Sequence, residues 1–323
     1  MNLSRRYLLL AAAFLAHPAW SQDYPSRPVT LVVPFTAGGG VDTVARLLAE
    51  RLRATLGQAV VVGNKPGASG MLGASAVTRA AGDGYTLLLG SAGETAINPL
   101  VYKERMQYQP QRDLAPITLV TRVPNVLVAA PSFPANNIAE LVSYAKAHPG
   151  RLGYATSGIG NPQHLNGELL QSVAGIQMTH VPYKGAANQL VDVASGAVEL
   201  AFVSYAGAAP FIKSGRVKVL AVTSARRAPF APDIPAIAES PQAAGYDLEN
   251  WFGLFAPAST PAAIQARINT AVVDALKDPE LGRRLREQGG EPAPMTQQQF
   301  KDFIAGETAK YARIVESARI TPE

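Results

Sequence analysis

The chain of 323 residues is 47% hydrophobic and 16% charged, and its formal net charge is +5 at pH 7. Because a single hydrophobic core stops growing near roughly 250 to 300 residues, this length predicts two lobes. The basic residues are scattered, which argues against a nucleic-acid surface, and the absence of cysteine excludes thiol catalysis, thiolate zinc sites and disulfides.

The first predicted element is a signal peptide over residues 1–21. Arg5 and Arg6 supply a positive start, residues 7–16 form an apolar run, and Ala19-Trp20-Ser21 offers a cleavage site. The apolar run is about half as long as a segment that spans a bilayer. The pattern predicts a periplasmic mature protein without membrane insertion, exported by either the Sec or the twin-arginine route.

Short β-branched runs then alternate with helical periods, which is typical of βαβ units. The first strand is predicted over residues 29–35, and a turn over residues 37–40 leads to a helix that ends at Gly57. A second strand is predicted over residues 60–62 and a third over residues 85–89.

Two β-rich runs broken at Pro124 predict a segment that crosses from one lobe to the other. A second series of strands and helices follows, and residues 248–256 predict a strand that crosses back before three final helices. The sequence therefore predicts an α/β protein of two lobes, each a mostly parallel sheet flanked by helices. Lobe one is predicted to contain residues 22–124 and 251–323, and lobe two residues 125–250.

Loop one, residues 34–42, joins the first strand to the first helix. It contains three consecutive glycines and no basic residue. Glycines let backbone N–H groups turn outward, and a helix N-terminus adds about half a positive charge, so the loop favours an anion. The Lys and Ser/Thr of a phosphate loop are missing, and Thr43 stands where a dinucleotide loop needs its third glycine, so we expect no nucleotide.

Loop two, residues 154–162, repeats the design in the second lobe, with hydroxyls, glycines and a helix start but no Lys or Arg. Either loop alone is well explained as a tight βα turn. As a pair at the carboxyl ends of two open sheets, they predict one anion site across the cleft between the lobes. Hydrogen bonds to a charged acceptor contribute roughly 1.5 to 3 kcal/mol each, so backbone donors from both loops suffice without an arginine.

Several sequence blocks are distinctive. They are Tyr24-Pro25-Ser26-Arg27-Pro28, Val32-Val33-Pro34-Phe35-Thr36-Ala37-Gly38-Gly39 with Asp42, Asn64-Lys65-Pro66-Gly67-Ala68-Ser69-Gly70, Asp83-Gly84-Tyr85-Thr86-Leu87, Ala96-Ile97-Asn98-Pro99, His180-Val181-Pro182-Tyr183-Lys184-Gly185 and Leu220-Ala221-Val222-Thr223-Ser224. In this order the blocks closely resemble the Bug family, the substrate-binding proteins of tripartite tricarboxylate transporters. The similarity extends through nearly the whole mature chain.

The resemblance implies a periplasmic binding protein of the Venus-flytrap, type II-like fold. Its loops at residues 35–39 and 157–161 would hold a ligand carboxylate through main-chain amides. It also implies a monomer that delivers a small organic carboxylate to transporter membrane subunits, with no catalysis, no cofactor and no metal. The residues expected at the ligand are Tyr24, Phe35, Thr36, Ala37, Gly38, Gly39, Ser91, Ser157, Gly158, Gly160, Asn161, His164 and Tyr205.

Two positions depart from the family pattern. Val203 stands where the family usually has a second acid, so we expect simple amino acids to bind poorly and a dicarboxylate or aromatic carboxylate to be preferred. Pro162-Gln163 stands where small hydroxyl residues are common in the family, and because Pro162 has no N–H to donate, that position contributes shape.

Individual side chains have alternative interpretations. His164 lies in the first turn of the lobe-two helix, where a ligand contact and a structural role are both reasonable. Ser91 offers a hydroxyl to the ligand's far end or caps its turn, and Tyr205 lines the cleft or packs. Asp42 is expected to cap its helix or hold loop one, because an acid facing an anion would repel it.

Two rival functions remain open at this point. The first is a hydrolase that uses Ser157 with His164, although the chain lacks the Gly-x-Ser-x-Gly elbow and the His-Glu-x-x-His zinc pair. The second is a ligand-loaded partner of a sensor kinase, which the sequence does not distinguish from a transporter's binding protein.

Overall fold

The computed structural model describes residues 24–183 and 186–321. The predicted signal peptide, together with Lys184 and Gly185 of the predicted blocks, lies outside these residues. The described chain folds as two β-sheets flanked by helices, which confirms the predicted two-lobed α/β class.

The sheet of lobe one has six strands in the order β11-β4-β10-β3-β1-β2. Its strands are β1 (Val29–Val33), β2 (Val60–Asn64), β3 (Thr86–Ser91), β4 (Leu114–Val123), β10 (Asn250–Pro257) and β11 (Glu291–Pro292). Strands β1, β2 and β3 pair in parallel, whereas β10 pairs antiparallel with both β3 and β4. The parallel direction of β1 to β3 places their carboxyl ends at one edge of the sheet.

The sheet of lobe two has five strands in the order β7-β6-β8-β5-β9. Its strands are β5 (Asn125–Ala129), β6 (Leu152–Thr156), β7 (Met178–Pro182), β8 (Leu200–Ser204) and β9 (Lys218–Val222). Strand β6 pairs in parallel with β7 and β8, and β5 pairs antiparallel with β8 and β9. Strands β5 and β10 are thus antiparallel to the other long strands of their sheets. Each of the two follows a segment that crosses between the lobes.

Helices cover the faces of both sheets. Those packed with lobe one are α1 (Gly40–Leu56), α2 (Met71–Thr78), α3 (Asn98–Val101), α4 (Pro110–Asp113), α9 (Ala262–Leu276), α10 (Pro279–Glu287) and α11 (Gln297–Ser317). Those of lobe two are α5 (Ile138–Ala147), α6 (Pro162–Ala174), α7 (Ala186–Ser195) and α8 (Tyr205–Lys213). Local sequence explains their ends: the Asn161 side chain caps α6, Pro162 is its first residue, and Gly175 ends it in the left-handed conformation.

The strand predictions were correct in order but differed at their ends. The third strand continues to Ser91 rather than ending at Leu89, and a π-helical turn over Gly93–Ile97 follows it directly. The sequence pattern did not reveal that turn, because its residues are buried on all sides and show no helical period. The lobe boundaries near residues 124 and 250 stay a prediction, although the strands divide between the two sheets at those positions.

No helix within residues 24–183 and 186–321 is both long and apolar enough to cross a membrane. The apolar side chains instead pack into cores. One core lies in lobe two, and two lie on the two faces of the lobe-one sheet.

Candidate functional site

Loop one leaves the carboxyl end of β1 and enters α1 at Gly40. Gly39 is the residue before the helix, and no side chain caps the helix there. Gly38 adopts a left-handed φ of +82°, which glycine tolerates without strain. Residues 36–40 are exposed, so the first turn of α1 opens toward solvent.

Asp42 holds loop one in shape from inside. Its carboxylate accepts the Gly38 N–H at 2.8 Å and both guanidinium bonds of Arg46 at 2.9 Å. Asn64 donates one bond to Asp42 at 2.9 Å and one to the carbonyl of Phe35 at 3.0 Å. Burial acts to raise the pKa of Asp42, but the bonds from Arg46, Gly38 and Asn64 outweigh it and lower that pKa to about 2. The expectation that Asp42 holds the loop is confirmed.

The remaining amides of loop one are free to bind an external acceptor. Within the described residues, the N–H groups of Ala37, Gly39 and Gly40 have no hydrogen-bond partner, whereas Gly38 N–H is occupied by Asp42. The charge of Asp42 is neutralised by Arg46, so the local field is that of a bare helix N-terminus. This arrangement favours a small anion.

Loop two is closed more tightly by its own side chains. The Ser157 N–H donates to Gln163 at 2.7 Å, the Gly158 N–H to Thr156 at 3.3 Å, and the Gly160 N–H to His164 Nδ1 at 3.0 Å. Asn161 donates its side-chain amide to the Ser157 hydroxyl at 3.1 Å. Three of the amides predicted to face the ligand are therefore paired internally, while the Ser157 hydroxyl hydrogen remains available to a ligand.

His164 is buried, with 7% of its surface exposed. Its ring stacks on His180 with 3.8 Å between ring centroids, and its Nδ1 serves loop two as an acceptor. The structure thus gives His164 a role in holding loop two, and a direct ligand contact stays a prediction. His180 and Gln163 also support loop two, and the sequence pattern does not reveal either contact, because both depend on the strand and helix packing beneath the loop.

A set of contacts joins loop two to lobe one. Tyr102 donates its hydroxyl hydrogen to the carbonyl of Ile159 at 3.1 Å. A Cβ placed on Gly160 would lie 2.9 Å from a methyl carbon of Val101, so that glycine is required by the close approach of α3. Leu165, from the first half of α6, packs in a lobe-one core. The two lobes are therefore in contact at loop two.

The contacts continue from α3 to loop one. Asn98 donates its side-chain amide to the carbonyl of Ser69 at 2.8 Å. Next to Ser69, a Cβ on Gly70 would lie 3.2 Å from the ring of Phe35. One continuous layer of residues therefore links loop two, α3 and loop one at the carboxyl ends of β1 and β3.

A buried carboxyl group lies directly under this layer. Glu94 is fully buried and accepts both the N–H and the hydroxyl hydrogen of Ser91. Burial raises the pKa of Glu94 to about 7. Ser91 therefore caps its turn, which is one of the two roles expected for it. Its contact with a ligand stays a prediction.

Tyr205 and Tyr24 occupy different places. Tyr205 begins α8 at the carboxyl end of β8, where a Cβ on Gly289 of lobe one would lie 2.9 Å from it, and its ring packs against Phe230. Tyr24 donates to the carbonyl of Gly84, just before β3 begins. That position is the amino-terminal edge of the lobe-one sheet, so the structure does not bring Tyr24 to the two loops.

The described residues hold no group of three His, Asp or Glu side chains spaced to bind a metal ion. Ser157 and His164 do not contact one another as a nucleophile and base: the serine hydroxyl accepts from Asn161, and the histidine Nδ1 accepts from Gly160. Among the described residues, neither loop therefore pairs a nucleophile with a base, and loop one instead offers unpaired backbone N–H groups at a helix N-terminus.

Comparison with known proteins identifies relatives over nearly the whole chain. The family model described as tripartite tricarboxylate transporter family receptor matches residues 44–320. Protein BugT of Bordetella pertussis is 34% identical over 322 residues, which cover 98% of each chain.

Solved structures are similar over nearly the whole chain. An R. palustris protein with adipate is 40% identical with a TM-score of 0.85, over 93% of this chain and 100% of that one. The periplasmic binding protein BugD is 37% identical with a TM-score of 0.80, over 93% and 100%. MatC of Rhodopseudomonas palustris with bound malate is 32% identical with a TM-score of 0.77, over 90% and 100%.

Proposed function

The chain belongs to the tripartite tricarboxylate transporter receptor family, and we propose that it captures a small organic carboxylate between its lobes and delivers it to a transporter. In this proposal the protein works in the periplasm after removal of the predicted signal peptide. It binds and releases its ligand without changing it chemically.

The observation that carries the proposal is the exposed first turn of α1. The N–H groups of Ala37, Gly39 and Gly40 have no partner in the described residues and lie at a helix N-terminus that no side chain caps. Such a turn is a binding site for an anionic oxygen, and each hydrogen bond to a charged acceptor contributes roughly 1.5 to 3 kcal/mol. Loop two supplies the opposing side through the Ser157 hydroxyl and its remaining backbone donors.

We propose a dicarboxylate or an aromatic carboxylate as the ligand class. Support comes from the similar proteins solved with adipate and with malate. An ammonium group would need an acidic partner, and Val203, at the position where an acid is expected, is buried in the core of lobe two. Amino acids should therefore bind more weakly than acids of the same length that lack the amine.

A thermal-shift screen of the mature protein tests the proposal. Adipate, malate, aspartate and benzoate are compared with butylamine and glucose as controls. A ligand that binds only the folded state, present at a hundred times its dissociation constant, stabilises the fold by about 2.7 kcal/mol and raises the melting temperature. We expect a shift with at least one carboxylate and none with the controls. A rise in melting temperature with butylamine or glucose, but with none of the carboxylates, would contradict the proposal.

A further inference from the structure

Two stacked histidines lie beneath loop two. The rings of His164 and His180 are nearly parallel, with 10° between their planes and 3.8 Å between their centroids. They come from different elements, α6 and β7, and they meet because β6 and β7 pair in a register that sets Tyr154 beside His180. The Tyr154 ring also stacks on His180, with 5.1 Å between their centroids, and lies 6.4 Å from the His164 ring.

The hydrogen bonds of the pair fix where the protons are. The Gly160 N–H donates to His164 Nδ1, so this nitrogen carries no hydrogen and the neutral ring holds its proton on Nε2, 3.6 Å from Glu168. His180 Nε2 contacts the Thr156 hydroxyl at 2.7 Å, and that hydroxyl donates to the carbonyl of Gly158 at 2.9 Å. Both glycines of loop two are thus held, directly or through Thr156, by an imidazole.

The surroundings disfavour charge on His180. Burial and the adjacent His164 ring lower the pKa of His180 to about 4, although Glu168 acts in the opposite direction. Among the described residues, the ionisable groups that contact the pair are Glu168 on the same helix and Tyr154 on β6, which donates to Glu168 at 2.5 Å. One carboxylate therefore balances at most one positive charge on two rings that touch.

We propose that His164, covered by His180, is a positioning residue that holds loop two in its ligand-binding conformation only while the ring is uncharged. A second proton on His164 must sit on Nδ1, where it meets the Gly160 N–H and breaks the bond that shapes the loop. Carboxylate affinity then falls on acidification. The hydrogen bond from Gly160 to His164 is present without ligand. Its effect on affinity, however, rests on the proposed function of carboxylate capture.

The charge on His164 has a competing effect, since a cation near loop two attracts an anion. The loss of geometry dominates for two reasons. The ring is buried, with 7% of its surface exposed, and Glu168 lies 3.6 Å from its Nε2, where it compensates a positive charge. A rise in affinity on acidification that depends on His164 would overturn the proposal.

The first experiment needs no ligand. Nuclear magnetic resonance of the ¹⁵N-labelled mature protein follows the Gly160 amide and the histidine rings between about pH 7.5 and pH 4.5. We expect the Gly160 amide to move with the same midpoint as the His164 ring. An amide that stays fixed while His164 titrates, or a His164 that stays neutral throughout, would overturn the proposal.

The second experiment measures adipate and malate binding by calorimetry across the same pH range. His164→Gln supplies an uncharged acceptor oxygen to Gly160, and His148→Gln is the matched control, because His148 stacks on Tyr144 away from loop two. The ligand's own titration cancels in the ratio of wild type to variant. We expect the wild type and His148→Gln to lose at least about tenfold more affinity than His164→Gln.

Equal acid losses in all three proteins would overturn the role of His164. If no carboxylate binds at any pH while the Gly160 amide still follows His164, the proposed function fails and the loop contact stands. The two failures are therefore distinguishable.

Discussion

The Asp42 carboxylate accepts the Gly38 N–H at 2.8 Å, so an acid shapes the loop that we propose as the anion site. Arg46 neutralises the charge of this carboxylate, and the Asn64 side chain donates a further hydrogen bond to it. Because Asn64 ends β2, that bond ties β2 to the same loop. This arrangement leaves the amides of Ala37, Gly39 and Gly40 without a partner in the described residues and places no net negative charge behind them.

Replacing Asp42 with Ala should weaken both the fold and the ligand site. The change removes charge-assisted bonds worth roughly 1.5 to 3 kcal/mol each in buried settings, although screening of the exposed Arg46 reduces the total. We expect the free energy of unfolding, measured by urea denaturation at neutral pH, to fall by about 2 kcal/mol. We also expect the free energy of carboxylate binding to fall by a larger fraction of its wild-type value.

The pH dependence gives the control for Asp42. The pKa of this group is lowered to about 2 in the folded protein. Its contribution to stability is therefore present above the ordinary value near pH 3.8 and is lost as the pH falls toward 2. The difference between wild type and Asp42→Ala should stay constant between pH 5 and 8, and a difference that vanishes within that range would contradict the assignment.

Replacing Gly39 with Asp should separate stability from binding. Gly39 has an ordinary φ of −77° and only one atom near a new Cβ, the carbonyl oxygen of Thr36 at 3.5 Å. An aspartate there caps α1, which gains a few tenths of a kcal/mol, and it occupies the anion position with its own carboxylate. We expect unchanged or higher thermal stability together with at least about a hundredfold loss of carboxylate affinity. Binding that survives would argue against loop one as the site.

The contact between Gly160 and Val101 should be necessary for closure of the lobes. Gly160→Ala introduces a Cβ 2.9 Å from Val101, whereas Gly150→Ala has a similar positive φ and open space around it. Both changes strain the backbone by about 1 kcal/mol. We expect a fall in ligand affinity of at least about tenfold in Gly160→Ala alone, measured by calorimetry. Equal losses in the two variants would show that strain alone is responsible.

Glu94 should make the protein less stable in alkaline medium. Its pKa is raised by burial from 4.5 to about 7, so the stability present below pH 4.5 is lost as the pH rises through 7. The total change is about 3 kcal/mol. Glu94→Gln keeps a hydrogen-bonding group without a titrating charge. Its free energy of unfolding in urea should therefore depend less on pH, and at pH 8 it should exceed that of the wild type. A wild type equally stable at pH 5 and pH 8 would contradict this prediction.

Sequence patterns located the two loops because a strand, a run of glycines and a helix start follow one another along the chain. They also predicted that Asp42 would cap its helix or hold loop one, because an acid facing an anion would repel it, and the structure shows the second role. Such features depend on short separations in sequence.

The features that were missed depend on register between distant elements. His164 meets His180 only because β6 and β7 pair in parallel beneath α6, and no spacing along the chain encodes that contact. Tyr24 belongs to the sequence block just before loop one's strand, so it lies at the opposite edge of the sheet from loop one. Loop two carries donors as predicted, but Gln163 and His164 accept two of them.

The central claim is that backbone amides of loop one hold the ligand's carboxylate. A crystal structure of the mature protein with a carboxylate selected by the thermal-shift screen tests it most directly. We predict carboxylate oxygens about 2.7 to 3.1 Å from the backbone nitrogens of Ala37, Gly39 or Gly40, with loop two closing over the same group. A carboxylate bound by an arginine side chain or elsewhere in the molecule, with those three amides facing solvent, would contradict the account.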